Sequence, residues 1–208
     1  MRSPIRLLAI AACLACVQSQ PGLAQPMPQQ PPQQQPQQQA QPAPQQGQPQ
    51  YSSNEILDNG HKFFGTVSRG LAQVVEKAFS QFGQPNGYVL GEEAGGALVA
   101  GLRYGEGTLY TKNAGDLRVF WQGPSIGFDA GGEGARTMML IYNLPATETI
   151  YNRFGGIDGS AYFIGGFGMT ALGAGNIVVV PIRAGVGLRL GANIGYLKFT
   201  PKATWNPF

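Results

Sequence analysis

Glycine constrains this chain more than any other residue. From Tyr51 to Phe208, 29 of 158 residues are glycine, more than twice the ~7% average. No Gly-X-Y period accompanies them, so a collagen helix is excluded. Long helices are equally disfavoured, because glycine costs ~1 kcal/mol against alanine at each helical position. The glycines alternate with apolar residues or punctuate short runs, which is the pattern of strands. Near the end, Ala184, Val186, Leu188, Leu190, Ala192 and Ile194 fall on one parity. Arg183, Gly185, Gly187, Arg189, Gly191, Asn193 and Gly195 fall on the other. Side chains alternate across a strand, so one face is apolar and the other is nearly bare backbone carrying two arginines. Such a face admits close approach by a helix, a strand or a ligand.

The remaining runs read as further strands. Ala97 to Tyr104 and Thr108 to Thr111 suggest a hairpin turning at Gly105-Glu106-Gly107. Leu117 to Trp121, Ser125 to Asp129, Thr137 to Tyr142, Ser160 to Thr170, Asn176 to Pro181, Ile182 to Leu190 and Ile194 to Thr200 complete the set. Leu71, Val74, Val75, Ala78, Phe79 and Phe82 recur at helical spacing, with Ser68 as N-cap and Gly83 followed by Pro85 as the stop. Asn54 to Lys62 offers a short preceding turn of helix, and Pro145 to Phe154 a short inserted helix closed by Gly155-Gly156. The expected fold is mainly β: an antiparallel, glycine-rich barrel or sandwich with an N-terminal amphipathic helix and one short inserted helix.

Ahead of this domain, residues 25–50 contain fourteen glutamines, eight prolines and no charge. Proline blocks helix and sheet and glutamine buries nothing apolar, so an extended, disordered tether is expected. Residues 1–24 have the form of a secretory signal: Arg2 and Arg6, an uncharged Leu7 to Val17, then Gly22-Leu23-Ala24 for cleavage. The apolar run falls short of the ~20 residues of a membrane-spanning helix. Both cysteines, Cys13 and Cys16, lie inside it, so the mature chain would have neither a disulfide nor a thiolate. Ile10 to Cys13 resembles a lipobox, but the apolar stretch before that cysteine is unusually short. Removing Arg2 and Arg6 leaves 12 basic against 11 acidic residues, a balance that gives no reason to expect nucleic acid as a partner.

The chain offers little for catalysis. His61 is the sole histidine and falls in the helical entrance, so no serine triad is in prospect. The usual zinc ligand sets cannot be assembled. Gly166-Phe167-Gly168-Met169-Thr170-Ala171 fits a loose dinucleotide pattern, but the glycine-rich segment after it cannot supply the helix that motif requires. Glu92-Glu93, Glu106, Asp129 and Glu133 are read as turn-stabilising carboxylates rather than an acid–base pair or a calcium loop. The reading is therefore of a non-enzyme, with no catalytic residue, cofactor or metal expected. Trp121 and Phe128 flank Gly123-Pro124. They wall an apolar pocket or form two core aromatics joined by a corner.

Several motifs together resemble a known group. Gly96-Ala97-Leu98, Leu102 to Gly107, Trp121 to Asp129, Pro181 to Asn193 and Gly195 to Thr200 are similar to the alphaproteobacterial envelope integrity protein A (EipA) family. The resemblance covers roughly residues 53–200. It implies a soluble periplasmic domain that supports the cell envelope, with a fold of SYLF (Ysc84-like) type, and it carries over no catalytic residues. On this basis the expected function is non-enzymatic support of envelope integrity by contact with lipid or another envelope component. Arg183, Arg189, Trp121 and Phe128 are the candidate contacts. Peripheral membrane contact and a monomer are expected. The competing expectation is an integral outer-membrane β-barrel.

Overall fold

Ser52 opens the first helix by accepting a hydrogen bond from the Glu55 N–H, while the Glu55 carboxylate accepts one from the Ser52 N–H. This reciprocal cap starts α1, Ser53–Phe64, which ends at Gly65 with φ 73°. The expected single turn is thus a helix of 12 residues. Ser68 caps α2, Arg69–Phe82, through the Leu71 N–H, and Gly83 stops it, both as anticipated. Ile56, Gly60 and Phe64 of α1 and Leu71, Val74, Val75 and Ala78 of α2 are buried. Each set recurs at three- and four-residue intervals, which places it on one side of its helix.

The computed structural model describes residues 49–96, 100–126, 135–184 and 195–206. After the helices come β1 (Gly87–Gly96), β2 (Ala100–Thr111), β3 (Gly115–Ile126) and β4 (Ala135–Tyr142). A 3-10 turn at Thr147–Ile150 leads to β5 (Arg153–Gly156), β6 (Tyr162–Ile164), β7 (Phe167–Met169), β8 (Leu172–Ala174), β9 (Ile177–Ala184) and β10 (Tyr196–Thr200). The strands pair antiparallel in the order β4-β1-β2-β3-β10-β5-β8-β9, and β9 pairs back onto β4. Eight strands therefore close a barrel, with β7 and β6 continuing outward from β9. Of the two architectures expected, barrel or sandwich, the closed barrel is found.

Two apolar clusters arise from strand alternation. Val89, Leu109, Val119, Met139, Ile141, Phe154, Val179, Leu197 and Phe199 fill the interior. Tyr88, Met138, Leu140, Tyr142, Phe167, Met169, Val180 and Ile182 lie on the outer wall and are covered by α1 and α2. β4 is consequently buried on both faces from Thr137 onward, which explains its unbroken apolar sequence. The arrangement also decides against an integral outer-membrane barrel. Such a barrel turns its apolar side chains to lipid; here they fill the interior, and the outer face carries the exposed Arg118–Glu106 pair at 2.9 Å.

Several expected boundaries move. Gly105-Glu106-Gly107 is the middle of β2 and not a hairpin turn, and Gly123-Pro124 lies within β3 and not at a corner. The segment expected as an inserted helix is only a 3-10 turn, and Gly155-Gly156 belong to β5. Ser160 to Thr170 divides into β6 and β7 around Gly165 and Gly166, both at positive φ. β9 runs through Pro181, at the point where its neighbour changes from β8 to β7. A proline is tolerated where pairing on one edge is interrupted.

Candidate functional site

Three main-chain connections leave from one end of the barrel: those after Gly96 of β1, Ile126 of β3 and Ala184 of β9. Just inside this end the interior changes from apolar to ionic. Glu93, Gly105 and Trp121 are successive cross-strand partners on β1, β2 and β3. They share the inward parity of Val89, Leu109 and Val119, so Glu93 is a carboxylate inside the barrel. Trp121 lies across β2 to reach it, and its indole N–H donates to Glu93 Oε2 at 2.9 Å. Gly105 makes this possible, since a Cβ there would overlap the indole ring. Gly91, on the next inward row, leaves room for the far edge of the same ring.

Arg183 approaches from the opposite side of β4. Its Nε donates to Glu93 Oε1 at 3.1 Å and its Nη2 to Oε2 at 3.2 Å. This forked geometry supplies two parallel charge-assisted bonds. Arg103, almost wholly buried, adds a second positive charge near Glu93. Burial pushes the Glu93 carboxyl pKa up. The charges of Arg183 and Arg103, with the hydrogen bonds from Arg183 and Trp121, outweigh burial and hold it below the usual carboxylate range. Glu93 is therefore ionised at neutral pH. Thr137 is the register partner of both Gly91 and Arg183 and has no solvent exposure. Its hydroxyl has no hydrogen-bond partner among the described residues.

Of the sequence-derived candidates, Trp121 and Arg183 meet on a single carboxylate. Phe128 and Arg189 lie outside the described residues. Trp121 faces the barrel interior, and Gly123-Pro124 beside it is strand and not a turn. Glu93, Arg103 and Thr137 complete the group, and sequence alone does not single them out. Reading Glu92-Glu93 as turn residues hides Glu93, although its parity with Val89 and Gly91 places it inward once β1 is recognised. On the outer wall, the segment Ala203–Trp205 crosses β2 and β3, where Tyr104 Oη donates to the Trp205 carbonyl at 3.0 Å. The groove beneath it holds about 140 Å³, below the ~300 Å³ at which ordinary small-molecule pockets begin. His61 lies in the last turn of α1.

The site can bind charge. It places two arginines and a spare buried hydroxyl beside Glu93 at the end of a closed barrel, groups able to bond an anion. Residues 49–208 match the family described as envelope integrity protein A. A crystal structure described as a beta-barrel-like, uncharacterized protein from Brucella abortus is similar at 59% identity and a TM-score of 0.72. The match covers 76% of this chain and 99% of that one. No curated protein matches. On the extent of the family match, the chain belongs to the envelope integrity protein A family.

Proposed function

We propose that this is an exported, non-enzymatic periplasmic protein that supports envelope integrity by holding an anionic envelope component at the arginine-bearing end of its barrel. The observation that carries the reading is the Glu93–Arg183–Arg103 group with the spare Thr137 hydroxyl. Buried polar groups are retained at a cost, and this one stands where the interior is otherwise apolar. A phosphate or carboxylate is the matching chemistry, and a lipid headgroup is one source of it. Arg189 and Phe128, on the connection after β9 and the connection after β3, would be further contacts. The signal-like residues 1–24 and the Gln/Pro-rich residues 25–50 support export together with a tether. The family matched and the barrel-like neighbour point to no catalytic class. Kinship with SYLF domains belongs to the same reading, and superposition of the barrel on such a domain checks it.

Osmotic shock and then native mass spectrometry test the proposal. The expected result is release without detergent, a mature mass starting at Gln25, and a bound phosphate- or carboxylate-bearing species. Recovery from the cytosol, a requirement for detergent, or ligand-free protein at every preparation would overturn it.

A further inference from the structure

We propose that the turn joining the two helices is a docking tip for an anionic phospholipid surface. The proposal rests on the envelope-side reading and deepens it by naming the surface. Position comes first. The Arg136 Nη1 donates to the Phe63 carbonyl at 2.9 Å, and Arg136 stands at the start of β4. Gly70 packs against Gly165 in the β6–β7 turn, and β7 pairs with the last residues of β9. The helix turn and the β6–β7 turn therefore share the end of the barrel that holds the arginine group.

Apolar exposure and charge coincide there. Val67, in the helix turn, is 88% exposed, and Phe163 of β6 is 39% exposed. Lys62 in the last turn of α1, Arg69 at the start of α2 and Arg136, bonded to the Phe63 carbonyl, lie at this end and are all exposed. Against them stand Glu92, the register partner of Arg136, and Asp58, one helical turn further from the tip than Lys62. At the opposite end Lys112 is paired with Glu55 at 2.8 Å, and the carboxylates of Asp116 and Glu148 are exposed. An exposed apolar residue with three exposed cations at the same end, and exposed carboxylates at the far end, matches a bilayer that presents phosphate over hydrocarbon. Docked this way, the barrel end bearing Arg183 faces the membrane.

Co-sedimentation with phosphatidylcholine vesicles, with and without phosphatidylglycerol, tests the tip. The comparison is between the wild type and Val67→Asp combined with Arg69→Glu. Both positions are exposed, and an acidic residue in the first turn of α2 favours that helix, so the melting temperature should not change. We expect binding to anionic vesicles only, weakened by roughly tenfold or more in the variant, since each basic residue near an anionic surface contributes about a factor of five. Equal binding by both proteins, equal binding to neutral vesicles, or no binding by the wild type would overturn the proposal. So would a wild-type dimer that the substitutions dissociate, because the tip would then join two copies of the chain. If the variant matches the wild type on vesicles while native mass spectrometry still finds a bound anion, the tip fails and the ligand reading stands.

Discussion

Glu93 puts a negative charge where a barrel of this size normally holds only hydrocarbon. Three groups hold it there: the Arg183 fork, the nearby Arg103 and the Trp121 indole. Trp121→Phe keeps an aromatic ring and deletes the N–H, so denaturant unfolding should show a loss of about 1.5–3 kcal/mol, as for a buried hydrogen bond to a charged group. An unchanged midpoint would remove the indole from the account. Gly105→Ala should cost about 1–3 kcal/mol through overpacking against Trp121. In the Trp121→Ala background much of that cost should vanish, a coupling that a double-mutant cycle reads directly. Acid acts on the same group. The folded pKa of Glu93 is depressed, so the unfolded chain takes up the proton first as pH falls. The stabilisation from its ionised form is present above the unfolded pKa of ~4.3 and is lost as pH drops through the lower folded value. Glu93→Gln should flatten the acid limb of a stability–pH curve; a limb as steep as that of the wild type would contradict this.

At the scale of elements, the sequence is legible where one face of an element is apolar and the other is wet. α2 is readable to its caps because Leu71, Val74, Val75 and Ala78 mark a buried stripe, and Leu71→Ala should cost about 2–5 kcal/mol in thermal or chemical unfolding. α1 reads as shorter than it is because its stripe depends on Gly60, which packs against Leu71 and Met138 only in the assembled fold. The glycines of β2 and the Gly-Pro of β3 read as turns for a related reason. Locally they are turn residues, but here the missing side chains serve packing partners on other strands: Gly105 lies beneath Trp121, and Gly107 lies against β1. The need for a bare backbone is set by tertiary contact, which local propensity does not register. The same reasoning explains the site. Arg183 and Trp121 are visible as unusual residues, but Glu93, which joins them, is 28 residues before Trp121 and 90 before Arg183.

At the scale of the molecule, closure of the barrel sets the boundary between structure and function. Its lower interior is filled by apolar side chains and its helix-covered wall is dry; the polar group occupies one end. A staple and a binding site would both put charge there, and they respond differently to its removal. Replacing a buried ion pair by neutral groups of similar volume is often neutral or stabilising. Glu93→Gln keeps an acceptor for the Trp121 N–H, and Arg183→Met fills the space of the arginine stem. The decisive measurement is the detergent sensitivity of cells lacking the gene, complemented by wild type or by this double variant at equal abundance. The double variant is expected to fold to wild-type abundance and to fail to restore the envelope barrier. Full restoration by the double variant would show that the arginine group only holds the fold together, and would contradict the account.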